Sequence, residues 1–191
     1  MKVVGISGSP RKEGNTECLV NTCLDEFSNS GWETIKFYLS EKTVKPCCGC
    51  ETCQETGFCT ITDDDAASLF DELSLCDAVV IGSPVYYRNV TAQLKAVFDR
   101  SFAYYSKISF LKGKPGGAIT VGRGEGTGQS NTLMVIYNYL LSCGALPIPG
   151  ELNGLSARAD KPKDILSQER RLEQARILAR NIISYAEKLK V

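Results

Sequence analysis

Histidine is absent from this 191-residue chain. That absence removes Ser-His-Asp and Cys-His catalysis, and with them His-ligated zinc and haem. Proton transfer near neutral pH then needs a side chain of perturbed pKa or the atoms of a cofactor. Net charge is also missing: 22 Lys and Arg balance 22 Asp and Glu. No electrostatic footprint for nucleic acid or an anionic membrane is visible. Long apolar runs are lacking too. The stretch Val3-Val4-Gly5-Ile6 is too short for a signal peptide, and no later run has the length of a membrane span. The expectation is a cytoplasmic protein with neither nucleic acid nor membrane as partner. Internal repeats and low-complexity tracts are absent as well.

What is present suits one domain over residues 1–191, since 43% of the residues are hydrophobic. Apolar strand-like runs at 3–6, 34–39, 77–82, 117–121 and 145–150 alternate with helical patterns at about 16–27, 66–75, 91–102, 130–143 and 163–190. Asp63-Asp64-Asp65 reads as a solvated helix start, because carboxylates suit the positive end of the helix dipole. The terminal helix, with Leu172, Ile177, Leu178 and Ile182 on one stripe, reads as core-facing. Strands alternating with helices predict an α/β fold, a doubly wound parallel sheet of about five strands. Ligands of such sheets bind outside the carboxyl ends of the strands.

Nine cysteines are present, and five of them fall between Cys47 and Cys59. Four read as Cys47-x2-Cys50-x2-Cys53-x5-Cys59, in a cysteine-rich loop at about 46–60. A cubane iron–sulfur cluster needs four thiolates, and a C-x2-C-x2-C run with a nearby fourth cysteine supplies them. Structural zinc is the competing reading, although zinc ribbons draw two C-x2-C pairs from separate hairpins. Reduced thiols in a surface loop, or a thiol–disulfide relay, are the remaining alternatives. Cys48 breaks the x2 rhythm and reads as a spare thiol.

Three loops leave the carboxyl ends of the predicted strands. The first, Ser7-Gly8-Ser9-Pro10-Arg11-Lys12-Glu13-Gly14-Asn15-Thr16, offers hydroxyls, a guanidinium and a helix N-terminus, which suit a phosphate monoester. It is not a Walker A loop, because five residues separate Gly8 from Gly14 and Asn15 stands where the lysine belongs. An ordinary serine–glycine turn capping a helix is the plain alternative. The second loop is Ser83-Pro84-Val85-Tyr86-Tyr87, and the third is Gly122-Arg123-Gly124-Glu125-Gly126-Thr127-Gly128-Gln129.

Gly8-Ser9-Pro10-Arg11, Gly14-Asn15-Thr16 and Ser83-Pro84-Val85-Tyr86-Tyr87 together resemble the flavodoxin-like NAD(P)H-dependent FMN reductases. The cysteine run narrows the resemblance to the iron–sulfur flavoprotein family. What it implies is a flavodoxin-like five-stranded sheet, FMN at its C-terminal edge, and a [4Fe-4S] cluster on an inserted loop. By the resemblance, Ser7, Ser9, Arg11, Asn15 and Thr16 hold the FMN phosphate. Pro84, Val85, Tyr86 and Tyr87 border the flavin ring, Ser83 belongs to the same cofactor-binding loop, and Arg123 and Gly124 close the ring's other edge. Cys47, Cys50, Cys53 and Cys59 ligate the cluster, and no side chain is assigned as catalytic. The resemblance also implies a homodimer or homotetramer that exchanges electrons with a ferredoxin-like carrier or reduces a small acceptor. Two other functions stand beside this one: an NAD(P)H-dependent FMN or quinone reductase without a working cluster, and a redox sensor or zinc-braced flavin carrier.

Overall fold

A computed structural model describes residues 1–105, 110–124 and 126–189. Glu125 of the glycine-rich loop and Lys190 of the expected terminal helix lie outside the described residues. The strands are β1 (Lys2–Ser7), β2 (Glu33–Tyr38), β3 (Ala78–Pro84), β4 (Pro115–Gly122), β5 (Leu146–Pro147) and β6 (Leu155–Arg158). The helices are α1 (Asn15–Asn29), α2 (Thr52–Thr56), α3 (Ala66–Leu75), α4 (Ala92–Arg100), α5 (Phe102–Tyr105), α6 (Thr127–Ser142) and α7 (Glu169–Leu189), with a 3-10 turn at Asp164–Ser167.

All strand pairs are parallel, in the order β2-β1-β3-β4-β5. This is the doubly wound parallel sheet that the alternation of elements predicts, with the flavodoxin-like strand order that the resemblance implies. One strand is additional. The fifth position is split along the edge of β4, where β5 pairs with Pro115 and Gly116 and β6 with Ile119 to Gly122. The expected strand at 145–150 shrinks to two residues because Pro147 and Pro149 carry no N–H to donate to a ladder. β6 then takes up the pairing four residues further along β4.

Alternation along the strands fills both faces. Val4, Ile6, Val79 and Ile81 meet α3, α4 and α6 on one side. Val3, Val80, Ile119 and Val121 meet α1 and α7 on the other. Burial on two faces explains why the strands read as nearly continuous apolar runs. Gly82, near the carboxyl end of β3, admits α1 to the sheet. A Cβ there would lie 2.7 Å from Val20 Cγ2 and 2.9 Å from Thr16 Cγ2. The first turn of α1 is thereby brought against the end of the sheet.

The acid triplet starts a helix as expected, since α3 begins at Ala66. Its solvation needs correction. The Asp64 side chain is 1% exposed and pairs with an equally buried Arg100. A carboxylate at a helix start reads as solvated only when no distant cation is in view, and Arg100 lies 36 residues away.

Candidate functional site

The loops after β1, β3 and β4 converge on one crevice of about 100 Å³. Ser9, Arg11, Asn15 and Thr16 line it from the first loop, Pro84, Val85 and Tyr86 from the second, and Arg123 from the third. The first loop is braced internally. The Arg11 backbone N–H donates to Ser9 Oγ at 3.1 Å, and the Gly14 N–H donates to the Arg11 carbonyl at 3.3 Å. Gly14 precedes α1 in an extended conformation, and no side chain caps the helix. The first N–H groups of a 15-residue helix therefore face the crevice without a side-chain acceptor, and the helix dipole adds positive potential. Arg11 supplies a full charge beside them. A phosphate group matches that donor set.

The second loop is tied to the first by Thr91. Its hydroxyl caps α4 by accepting from the Leu94 N–H at 3.1 Å and donates to the Gly8 carbonyl at 2.6 Å. Tyr86 and Asn89 exchange backbone hydrogen bonds of 2.9 and 3.0 Å around a two-residue turn. Both central residues are left-handed, Tyr87 at φ 47° and Arg88 at φ 62°. Side chains other than glycine pay about 1–2 kcal/mol per residue there, and such strain concentrates at ligand-contacting turns.

Some expected residues stand elsewhere. Ser7 is fully buried, with a hydroxyl that has no hydrogen-bond partner, and it does not line the crevice. Ser83 is buried too, and its hydroxyl donates to the Pro84 carbonyl and accepts from the Thr91 N–H. Tyr87 is fully exposed. The Gly124 carbonyl accepts from the Gln129 side chain. Asn15 lines the crevice, but its side chain is already engaged: it donates to the Lys161 carbonyl at 2.8 Å and accepts from the Ile165 N–H at 3.1 Å. It thereby latches the segment after β6 over the first loop. That segment contributes Ala159, Asp160 and Pro162 to the crevice wall, and Asp160 pairs with Arg123 at 2.5 Å. Sequence reasoning missed this wall. Its only signal is the turn composition of Ala159-Asp160-Lys161-Pro162, which suits any loop.

The second site is a cavity of about 100 Å³ walled by Cys47, Cys48, Cys50, Cys53 and Cys59. The chain coils around it through left-handed Gly49, Glu51 and Gly57, with α2 burying Cys53. Cys47 accepts from the Gly49 N–H at 3.4 Å. Cys50 Sγ lies 3.6 Å from the Thr60 hydroxyl. That hydroxyl, the Thr52 backbone and side chain, and the Cys48 thiol pull the Cys50 pKa down from 9.0 to about 7. Cys48, set aside on spacing, thus lines the same cavity and touches Cys50.

Arg100 holds this loop at both ends. Its Nη1 donates to the Lys45 carbonyl at 3.1 Å and to Asp64 at 2.5 Å, and its Nη2 donates to the Ile61 carbonyl at 2.9 Å. Burial disfavours its charge, but Asp64 and the Cys59 sulfur outweigh burial and raise its pKa. Burial likewise opposes ionisation of Asp64. Arg100 and the N–H groups of Lys45 and Ala66 prevail and hold its carboxyl below the usual range. Among the described residues, no three His, Cys, Asp or Glu side chains close on a single metal ion. What the cavity offers is five thiols around a shared space, with one thiol already disposed to ionise. That chemistry fits an iron–sulfur cluster.

Residues 1–157 match the protein family described as NADPH-dependent FMN reductase. An iron-sulfur flavoprotein of Methanocaldococcus jannaschii is 37% identical over 195 aligned residues, covering 100% of both chains. An iron-sulfur flavoprotein of Methanosarcina thermophila is 39% identical over 140 residues, covering 73% of each chain. Among solved structures, the flavodoxin, WrbA-like protein from Agrobacterium tumefaciens superposes with a TM-score of 0.69 at 16% identity, over 97% of each chain. The structural likeness concerns the fold alone, whereas the sequence matches extend to the loops that build both sites.

Proposed function

This chain belongs to the iron–sulfur flavoproteins of the NADPH-dependent FMN reductase family; it is an FMN-dependent oxidoreductase, and we propose that it passes electrons between FMN in the crevice and a [4Fe-4S] cluster in the cysteine cavity. The observation that carries this reading is the presence of two separately built sites in one chain. One is an uncapped helix N-terminus beside Arg11. The other is a five-cysteine cavity fastened by Arg100.

Ser9, Arg11 and Thr16, with the first turn of α1, bind the FMN phosphate. Pro84, Val85 and Tyr86 orient the flavin ring, a flat surface that suits aromatic and backbone contacts. Arg123, paired with Asp160, closes the crevice's outer edge. Cys47, Cys50, Cys53 and Cys59 hold the cluster, with Cys48 as a neighbouring thiol. When bound, FMN supplies two-electron chemistry and the cluster supplies single-electron transfer. The electron acceptor in this proposal is a ferredoxin-like carrier or a small molecule. We also propose a homodimer or homotetramer, supported by the exposure of Tyr87 near one site and of Phe102 beside the other.

The test is a series of Cys→Ser variants purified without oxygen and analysed for iron, acid-labile sulfide and flavin. Cys50→Ser, Cys53→Ser and Cys59→Ser are expected to lose iron and sulfide while keeping FMN. Cys47→Ser is expected to do the same, and Cys48→Ser to keep its cluster. Full iron and sulfide in all five variants would remove the cavity from the proposal. Zinc without sulfide throughout would replace the cluster with a structural ion.

A further inference from the structure

Arg100 ends α4 and is 3% exposed. Its two terminal nitrogens account for the bonds that fasten the cysteine loop, to Lys45, Ile61 and Asp64. Its Nε is different: it is buried and has no hydrogen-bond partner. Buried polar groups in folded proteins are nearly always paired, and an unpaired charged donor is among the costliest exceptions. Arg100 also lines the cysteine cavity, the one arginine that does so among the described residues. A rigid guanidinium with four N–H groups bonded to the loop and the fifth unpaired, beside the Cys59 sulfur that lines the same cavity, leaves one donor for an acceptor at that corner.

We infer that Arg100 is the fixed cation of the cluster site: its Nε–H donates to sulfur at the Cys59 corner, and its charge sets how readily the cluster accepts an electron. This rests on the reading that the cavity holds an iron–sulfur cluster. Reduction adds one electron, hence one negative charge, to the cluster. A desolvated guanidinium in contact stabilises that added charge, and hydrogen bonds to the sulfurs act in the same direction. The other charged residues that line the cavity among the described residues are acidic: Asp99, paired with Lys95 at 2.5 Å, and the exposed Glu51. Behind the lining, Asp64 pairs with Arg100 and Lys45 with Asp63. Arg100 therefore opposes an otherwise negative surround, and Asp64 sets how much of its charge the cluster feels.

The experiment uses the holoprotein purified without oxygen after growth on 15N-arginine, with the cluster reduced and observed by pulsed EPR. A hyperfine coupling from one arginine nitrogen is expected, and it should vanish in Arg100→Lys. Redox titration of the cluster signal supplies a second readout. Arg100→Gln should move the midpoint potential to more negative values, and Asp64→Asn, which frees the guanidinium's charge, to more positive ones. A residue that only clamps the loop predicts no nitrogen coupling and no opposition of sign. Absence of the coupling in a cluster-bearing parent, or shifts of the same sign in the two variants, overturns the inference alone. Should Arg100→Gln hold no cluster, the parent's coupling and the Asp64→Asn shift decide. A parent devoid of iron and sulfide removes the cluster reading and this inference together.

Discussion

The crevice is held by the sheet. Its three loops leave β1, β3 and β4, adjacent strands with continuous parallel registers, and Gly8, Thr91 and Ser83 join two of those loops through hydrogen bonds. The cysteine cavity sits on an insertion between β2 and α3 that contributes no strand. Its geometry depends on local turns, a five-residue helix and the buried Arg100–Asp64 pair. The two sites are also joined physically. α4 is capped by Thr91, which holds the first loop, and ends at Arg100, which holds the cysteine loop, about 13 Å away along a nine-residue helix. The lesson is that the crevice is built largely by topology. The cysteine cavity is built by residues close in sequence and then fastened by a few long-range contacts.

The largest expected effect breaks the weaker side of that comparison. Asp64→Ala leaves a buried guanidinium without its counter-ion, which costs about 3–5 kcal/mol. Urea unfolding measures the loss. Hydrogen exchange should show it concentrated at residues 45–62, with residues 7–16 unchanged. The pH dependence has a defined sign. Asp64 is depressed below its ordinary 3.8, so its stabilisation is complete at neutral pH and is lost as pH falls through the lowered value. Uniform loosening of both regions would mean that they are not separately held.

The next effect breaks the stronger side. Gly82→Val would place a side chain where Thr16 and Val20 approach within 3 Å of a mere Cβ. Overpacking of this kind costs about 1–3 kcal/mol. FMN affinity should fall with it because the first turn of α1 moves. Iron and sulfide content should not change, and a matched loss of both cofactors would contradict the division.

Arg11→Ala sharpens the crevice assignment at lower cost. Arg11 is exposed, and its bracing of the first loop runs through its backbone, which the substitution retains. The loss of a charge-assisted hydrogen bond to phosphate, about 1.5 kcal/mol, weakens FMN binding about tenfold. Fluorescence titration of the flavin-free chain measures it, with thermal stability expected to stay constant. An unchanged dissociation constant would move the phosphate elsewhere.

The smallest effect concerns one proton. In the cluster-free chain Cys50 should titrate at about pH 7, below the ordinary thiol value of 9.0. Its alkylation rate should rise through that pH. Thr60→Val should move the midpoint upward, because the Thr60 hydroxyl is the largest contributor. A midpoint that stays put would mean the loop does not hold Cys50 against Thr60.

These comparisons also show what a chain of this kind reveals before it is folded. Runs such as Val3 to Ile6 and Ala78 to Ile81 are apolar because both sheet faces are covered, so their strands were legible from hydrophobicity alone. The cysteine cavity was legible because the five residues that wall it lie within thirteen consecutive positions. β6 was not legible: four residues, Leu155–Arg158, with a mixed burial pattern carry too little periodicity to be told from loop. The latch by Asn15 and the clamp by Arg100 were hidden for another reason. Each joins positions far apart in sequence, 146 residues in one case and 36 in the other. An asparagine at a helix start and an arginine at a helix end have ordinary local explanations that need no distant partner.

The central claim, two cofactors on two separately built sites, is tested most directly by anaerobic purification of the unaltered chain with flavin, iron and sulfide measured on the same sample. The account predicts one FMN with about four irons and four sulfides per chain. FMN accompanied by zinc and no sulfide, or iron and sulfide with no flavin, would contradict it.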